Sequence, residues 1–331
     1  MAASVIDSRE SELASLQFHR WNYKLRLIQG INNNIGGIMA TVIELPIESY
    51  EGIVDSDWCP GCGDFGVLKA LKMAAGRLGI QPKDLIVVSG IGCSSNLPGF
   101  IHTYGVHSLH GRAVAVAEGI KLANHNLNVV ITGGDGDGYG IGIGHFIHAM
   151  RRNIDITYVV MNNQIYGLTT GQASPTTMKD MRTKSTPRGN VEMPINPIAL
   201  ALVSGATYVA RGFSGVPEHM ASLIAGGIAH HGFSLIDVFS PCVTYNKLNT
   251  YPWFKERVYK LEDDSNYDPS NPEAAVQRSF EWGDRIPIGL FYQDEQPTYE
   301  DSEPAFKNGP LVHQKLGLDR ERFDGFIQEF I

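Results

Sequence analysis

Asn162-Asn163 stands 26 residues beyond the turn Gly134-Asp135-Gly136. That separation can bring one carboxylate and one amide onto a single cation that holds a diphosphate. Mg²⁺ takes hard oxygen ligands in near-octahedral geometry and binds through one or two carboxylates plus phosphate oxygens. Asp135, the Asn163 side chain and the backbone carbonyl of Ile165 form such a donor set, and the implied ligand is Mg²⁺ with thiamine diphosphate. Gly134, Gly136 and Gly138 would let backbone N–H groups approach phosphate with no Cβ in the way. Asp135-Gly136-Asp137-Gly138-Tyr139-Gly140 begins like a calcium loop, yet its fifth residue is Tyr139 and Phe146 stands where a bidentate Glu is required, which excludes an EF-hand. A Gly-rich turn alone would equally suit a dinucleotide site or a tight loop. The paired asparagines at that separation set this one apart.

The chain has four cysteines: Cys59 and Cys62 in Trp58-Cys59-Pro60-Gly61-Cys62-Gly63, Cys93 in Gly92-Cys93-Ser94-Ser95, and Cys242 after Ser240-Pro241. A C-x-x-C pair with two distant partners reads as a metal or cluster framework in a chain with no secretory signal. Pro60, Gly61 and Gly63 permit a tight turn that points both thiolates one way. Four thiolates can hold zinc or a [4Fe–4S] cluster, and ligand count does not separate the two. The spacings are loose for a zinc ribbon, which pairs two C-x-x-C knuckles. A cluster beside a cofactor that forms a carbanion equivalent would serve as an electron acceptor.

Strands and a crossover must position these groups. Asn128 to Thr132 and Ile156 to Met161 are short apolar runs read as buried parallel strands, with a helix around His145 to Arg152 between them. The two polar clusters then lie at carboxyl ends of strands, where open α/β sheets bind ligands. Cys93 follows the strand-like run Leu85 to Val88, and Cys242 follows Ser234 to Phe239. The expected class is α/β, with a mostly parallel sheet and helices on both faces.

Cys59-Pro60-Gly61-Cys62-Gly63, Gly92-Cys93-Ser94-Ser95, His110-Gly111-Arg112, Gly134-Asp135-Gly136-Asp137, Arg151-Arg152-Asn153, Asn162-Asn163-Gln164-Ile165-Tyr166-Gly167-Leu168, Gly171-Gln172 and Ser174-Pro175-Thr176 together resemble the β subunit of 2-oxoacid:ferredoxin oxidoreductases. The resemblance runs from about Asp57 to Pro297-Thr298-Tyr299. It implies the thiamine diphosphate-binding fold. It also implies that Asp135, Asn163 and the Ile165 carbonyl hold Mg²⁺, that Ile91, Gly92, Cys93, Ser94, His110, Gly111, Gly136, Asp137, Gly167 and Leu168 contact thiamine diphosphate, and that Cys59, Cys62, Cys93 and Cys242 ligate one [4Fe–4S] cluster. The implied reaction is oxidative decarboxylation of a 2-oxoacid to acyl-CoA and CO₂, with electrons passing through the cluster to ferredoxin. A partner α subunit is implied as well, because the Glu that activates the aminopyrimidine comes from a separate domain in this superfamily and no second such domain is visible here. The expected assembly is an αβ unit, doubled. Two other readings remain at this stage: a non-redox thiamine diphosphate enzyme with a structural zinc site, and a zinc-stabilised binding module.

With 331 residues, 43% of them hydrophobic, and no low-complexity linker between Asp57 and Phe239, one catalytic domain is the simpler organisation. The expected division is a tail over 1–38, a thiamine diphosphate and cluster domain over 39–245, and a helical or irregular extension over 246–331 that packs on the core or a partner. Met39 is placed like an initiator, so the tail reads as preceding the true start, or else as an arm packing on a partner subunit. No apolar run is long enough to span a bilayer, and no charged segment with an apolar core opens the chain, so a cytoplasmic protein is expected. The net charge of −8 argues against nucleic acid as a partner. His102, His107, His145, His148, His230 and His231 show no zinc-ligand spacing and read as structural or surface residues. Lys179, Arg182, Lys184 and Arg188 read as a solvated loop.

Some relatives carry a basic residue at the positions of Asn96 and Thr170, which are neutral here. A distal substrate carboxylate would then need a cation from another subunit. The histidine-rich segment Tyr104 to Arg112 is most similar to the 2-oxoglutarate branch, and pyruvate or a broad range is the alternative.

Overall fold

The computed structural model describes residues 43–315, 317 and 319–331. The tail expected over 1–38 lies outside the described residues. Strands β1 (Leu85–Ser89), β2 (Tyr104–His107), β3 (Asn128–Gly134), β4 (Thr157–Asn162), β5 (Tyr208–Phe213), β6 (Ser234–Phe239), β7 (Val258–Lys260) and β8 (Ile286–Gln293) make one sheet, in the order β2-β1-β3-β4-β6-β5-β8-β7. Every pairing is parallel except β5 with β8. Central strands covered on both faces must be largely apolar, and every residue of β4, β5 and β6 is buried.

Helices α1 (Asp64–Arg77), α2 (Ala113–Ala123), α3 (Ile143–Arg152), α4 (Pro197–Val203) and α5 (Pro217–Ala229) supply the covering layers. Successive strand residues point to opposite faces. Val130 and Val159 therefore join Leu71, Ala74, Met220 and Ile224 from α1 and α5, whereas Val129, Ile131 and Val160 join Val114, Phe146, Met150 and Ile198 from α2, α3 and α4. Helix α3 ends where Asn153 turns left-handed at φ 49°, with Arg151 and Arg152 in its last turn, a favourable place for cations on the helix dipole.

The segment after Cys242 differs from the helical or irregular extension expected there. It contains helices at Tyr251–Lys255 and Pro272–Ser279, but it also supplies β7 and β8. Ile286, Ile288 and Phe291 are fully or almost fully buried, so this stretch completes the sheet rather than wrapping it.

The chain leaves β1 for β2 on one side and returns to β3 on the other. Such a reversal opens a crevice at the carboxyl ends of the strands.

Candidate active site

Register places the strand ends level: Ser89 pairs with Thr132, Gly134 with Met161, and Asn162 with Phe239. The loops that follow β1, β3 and β4 line a cleft of about 510 Å³, part of it open to solvent. Its walls include Ile91, Gly92, Cys93, Ser94, His110, Gly134, Asp135, Gly136, Asp137, Asn163, Ile165, Tyr166, Gly167 and Leu168. All the expected cofactor and Mg²⁺ residues thus meet there except Gly111, which lies behind the wall with its N–H donating to Asp137 Oδ1 at 2.7 Å.

Asp137 knits the loops together. Its Oδ1 also accepts from the Ile91 N–H at 3.0 Å and lies 2.9 Å from His110 Nδ1. Its Oδ2 and Ser94 Oγ are buried without a protein partner, and both residues line the cleft; the Ser94 hydroxyl can donate to a phosphate oxygen, whereas the carboxylate can only accept. After Asp135 the backbone makes a wide helical turn over Gly136–Ile141, with the Gly142 N–H reaching back to the Asp137 carbonyl at 3.0 Å.

Two of the glycines have a reason besides the one expected. A Cβ on Gly136 would sit 2.1 Å from the Tyr166 ring, and one on Gly138 would sit 2.2 Å from the Tyr158 hydroxyl. Aromatic packing excludes side chains at both positions. Only Gly134, whose added Cβ would have nothing nearer than Ser94 Oγ at 3.5 Å, leaves space open toward a ligand.

Asp135 is buried, and burial pushes its carboxyl up to about 6 against the hydrogen bonds that favour ionisation. Ser174 Oγ and Thr176 Oγ1 each donate to Asp135 Oδ2 at 2.5 Å, which leaves Oδ1 unengaged by them. Asn163 Oδ1 accepts from the Ile165 N–H at 3.0 Å, and Gln164 between them is left-handed at φ 58°, so a strained turn sets the Ile165 carbonyl. Behind this loop Asn162 Nδ2 and Tyr139 OH donate to Asp237 Oδ1, both at 3.0 Å, and Arg211 Nε lies 3.4 Å from Asp237 Oδ2. The donor set suits a hard divalent cation, which would offset the cost of an ionised buried carboxylate.

The cysteines converge beside the cleft. Within the C-x-x-C turn the Cys62 N–H donates to the Cys59 carbonyl at 2.9 Å, and Gly61 takes φ 84°. The Gly63 N–H donates to the Pro241 carbonyl at 3.2 Å, and Trp58 Nε1 donates to the Cys93 carbonyl at 2.7 Å, so the turn is tied to the loops of both distant cysteines. A Cβ added to Gly167 would lie 3.4 Å from Cys93 Sγ, 3.6 Å from Asn163 Nδ2 and 3.7 Å from Cys242 Sγ. Burial pushes the Cys93 thiol up to about 12, helped by Asp64, Cys242 and Cys59. Burial likewise raises Cys62, with Asp64, Cys93 and Cys242 adding to it. Asp64 is raised to about 6, again by burial, although Ser240 Oγ donates to its Oδ1 at 2.6 Å. These groups cannot all ionise together unless positive charge sits among them. Cys59 is exposed, and none of the four cysteines forms a disulfide.

Sequence reasoning passed over Asp64, two residues beyond Cys62, which lines the cleft and touches the cysteine group. It also passed over Arg211 and Asp237, whose signal was a charge in the middle of an apolar strand run; the register sets them opposite one another. Beside the neutral Thr170 stands a cation of this chain: Lys184 Nζ donates to Thr170 Oγ1 at 2.6 Å. Of the histidines, His107 Nδ1 lies 3.0 Å from the Ser95 carbonyl, His230 Nε2 lies 2.8 Å from Thr207 Oγ1, and His231 Nε2 lies 2.7 Å from Asp301 Oδ2.

The fold and cleft define a thiamine diphosphate-dependent α/β protein. The family model described as "Thiamine pyrophosphate enzyme, C-terminal TPP binding domain" matches residues 90–238, and the model for the C-terminal part of the pyruvate ferredoxin oxidoreductase beta subunit matches residues 242–308. The chain is 50% identical to a 2-oxoacid:ferredoxin oxidoreductase subunit beta of Saccharolobus solfataricus, over 80% of this chain and 92% of that one. It is 42% identical to a 2-oxoglutarate synthase subunit KorB of Archaeoglobus fulgidus, over 65% of this chain and 81% of that one. A solved 2-oxoglutarate:ferredoxin oxidoreductase from Magnetococcus marinus, with 2-oxoglutarate, coenzyme A and succinyl-CoA bound, superposes with a TM-score of 0.81 at 39% identity, covering 88% of this chain and 99% of that one. The chain belongs to the β subunits of the 2-oxoacid:ferredoxin oxidoreductases.

Proposed function

We propose that this protein performs, as a β subunit, the oxidative decarboxylation of a 2-oxoacid, 2-oxoglutarate in preference to pyruvate, to acyl-CoA and CO₂, and passes the electrons through one [4Fe–4S] cluster to ferredoxin. The observation that carries this reading is Cys93, which lines the cleft and also belongs to the cysteine group, so the two sites share a wall. When bound, thiamine diphosphate would supply the carbanion chemistry that releases CO₂, and the cluster would accept the electrons left by that oxidation. Asp135, Asn163 and the Ile165 carbonyl would hold Mg²⁺. Ile91, Gly92, Ser94, His110, Gly136, Asp137, Gly167 and Leu168 would surround the cofactor, with Gly111 fixing Asp137 from behind. Cys59, Cys62, Cys93 and Cys242 would ligate the iron.

The preference for 2-oxoglutarate rests on the relatives and on Lys184, a cation poised at Thr170. We assign 39–245 to the cofactor domain and 246–331 to an extension that completes the sheet and serves the partner. The α subunit would bring the activating Glu, and coenzyme A would take the acyl group. Among the described residues no helix is long and apolar enough to cross a membrane, and thiolates kept reduced for iron would suit the cytoplasm.

Anaerobic purification with the α subunit tests the reading. Brown protein containing iron, sulfide and thiamine diphosphate, and reducing ferredoxin with a 2-oxoacid and coenzyme A, supports it. Colourless protein with zinc and thiamine diphosphate would replace it with a non-redox thiamine enzyme.

A further inference from the structure

We infer that Thr176 is a positioning residue for the metal-binding carboxylate of Asp135 and is itself held by a buried polar chain that runs through Asn162 and Asp237 to Arg211. The inference rests on the assignment of Asp135 as a Mg²⁺ ligand. Thr176 Oγ1 shares its one proton between Asp135 Oδ2 at 2.5 Å and Asn162 Oδ1 at 2.8 Å in a three-centre bond. Asn162 Nδ2 donates to Asp237 Oδ1 at 3.0 Å, which fixes the amide with its oxygen toward Thr176. Arg211, opposite Asp237 in the sheet, anchors the far end. Every member of the chain is at most 3% exposed.

Stability does not explain this arrangement. A buried ion pair between central strands is often no better than a well-packed apolar pair. Its hydrogen bonds lead in one direction, to Asp135 Oδ2, which leaves Oδ1 as the oxygen available to a metal. With Oδ2 held by Ser174 and Thr176, rotation of the carboxylate is blocked and Oδ1 is presented at a fixed angle. Mg²⁺ demands near-ideal octahedral ligands, while Ca²⁺ tolerates irregular ones. Outer hydrogen-bond partners of metal ligands commonly change metal affinity about 10- to 100-fold. A chain that fixes the angle should therefore matter more for Mg²⁺ than for Ca²⁺.

The test uses enzyme assembled from full-length subunits, with thiamine diphosphate binding titrated calorimetrically against Mg²⁺ and separately against Ca²⁺. Thr176→Val should lower the apparent Mg²⁺ affinity about ten-fold or more and the Ca²⁺ affinity by a smaller factor. Thr176→Ser, which keeps the hydroxyl, should restore Mg²⁺ affinity to within a few-fold of wild type. Asp237→Asn should shift the Mg²⁺-to-Ca²⁺ ratio in the same direction as Thr176→Val, and it carries the test if the valine variant does not fold. Equal loss for both cations, or equal impairment by Val and Ser, would overturn the inference. Retained Mg²⁺ dependence in Asp135→Ala would instead overturn the ligand assignment beneath it.

Discussion

Replacing Arg211 by Met removes the cation from a buried ion pair and leaves Asp237 with the neutral donors Asn162 and Tyr139. Arg211 and Asp237 are at most 2% exposed, with Nε 3.4 Å from Oδ2, and the guanidinium lies 5.1 Å from the Phe239 ring centre and 5.3 Å from that of Phe291. Burial raises the Asp237 carboxyl and lowers the Arg211 guanidinium, each against the pull of its partner. Desolvation therefore outweighs attraction at both ends. Breaking one side of a buried pair costs about 3–5 kcal/mol, and the length of this contact puts the expected loss near the lower figure. At roughly 1.5–2 °C per kcal/mol for a chain of this size, the melting temperature should fall by about 5 °C. The methionine fills the same slot between the two rings, so lost packing contributes little. Asp237→Asn in the same chain removes the stranded charge while keeping an oxygen for Asn162 and Tyr139, and should recover about 1–2 kcal/mol. The assay is chemical and thermal unfolding of wild type, both single variants and the double variant under anaerobic conditions. Additive losses in the double variant, or an Arg211→Met protein melting within about 1 °C of wild type, would refute the argument.

Asp135→Ala should abolish Mg²⁺-dependent thiamine diphosphate binding while iron and sulfide content stay unchanged, since the carboxylate faces one site and not the other; calorimetry with iron analysis checks both. Cys242→Ser should leave the chain folded but lower its iron content and its ferredoxin reduction, because a hydroxyl is the poorer iron ligand; full iron and activity would remove Cys242 from the ligand set. Lys184→Met should lower the ratio of kcat/KM for 2-oxoglutarate over pyruvate by roughly two- to five-fold, the range for an exposed pair worth up to about 1 kcal/mol; an unchanged ratio means the ammonium faces away from substrate. Asp64 and Asp135 are both raised from 3.8 to about 6. Their protonated forms stabilise the fold fully below the unfolded value, and that contribution is lost as pH rises through about 6. Cofactor-free protein should thus melt higher at pH 5 than at pH 7, and Asp64→Asn with Asp135→Asn should flatten the difference.

The parallel core was legible because its strands are short apolar runs with polar residues at their carboxyl ends: Asn128 to Thr132 became β3 with two glycines added, and Ser234 to Phe239 became β6 with the same bounds. The cleft was legible for the same reason, since the level strand ends bring Gly92, Asp135 and Asn163 together. What escaped depends on side-chain contacts across long separations. Arg211 meets Asp237 only through the β5–β6 register. Lys184 reaches Thr170 through a loop whose backbone is tied to Gly171. The need for glycine at 136 and 138 comes from Tyr166 and Tyr158, residues that no local pattern connects to the turn.

The antiparallel strand β8 has a consequence for how the protein is made. Every residue assigned to a cofactor, from Cys59 to Cys242, leaves the ribosome before Ile286–Gln293 does. Until that late strand emerges, the outer side of β5 offers Tyr208 to Arg211 as unpaired backbone on an apolar ribbon. Such an edge is a template for pairing with other chains. A nascent chain paused upstream of β8 can hold all its ligands and still be prone to stick to its neighbours, so the last strand acts as a built-in guard that arrives after the chemistry is in place.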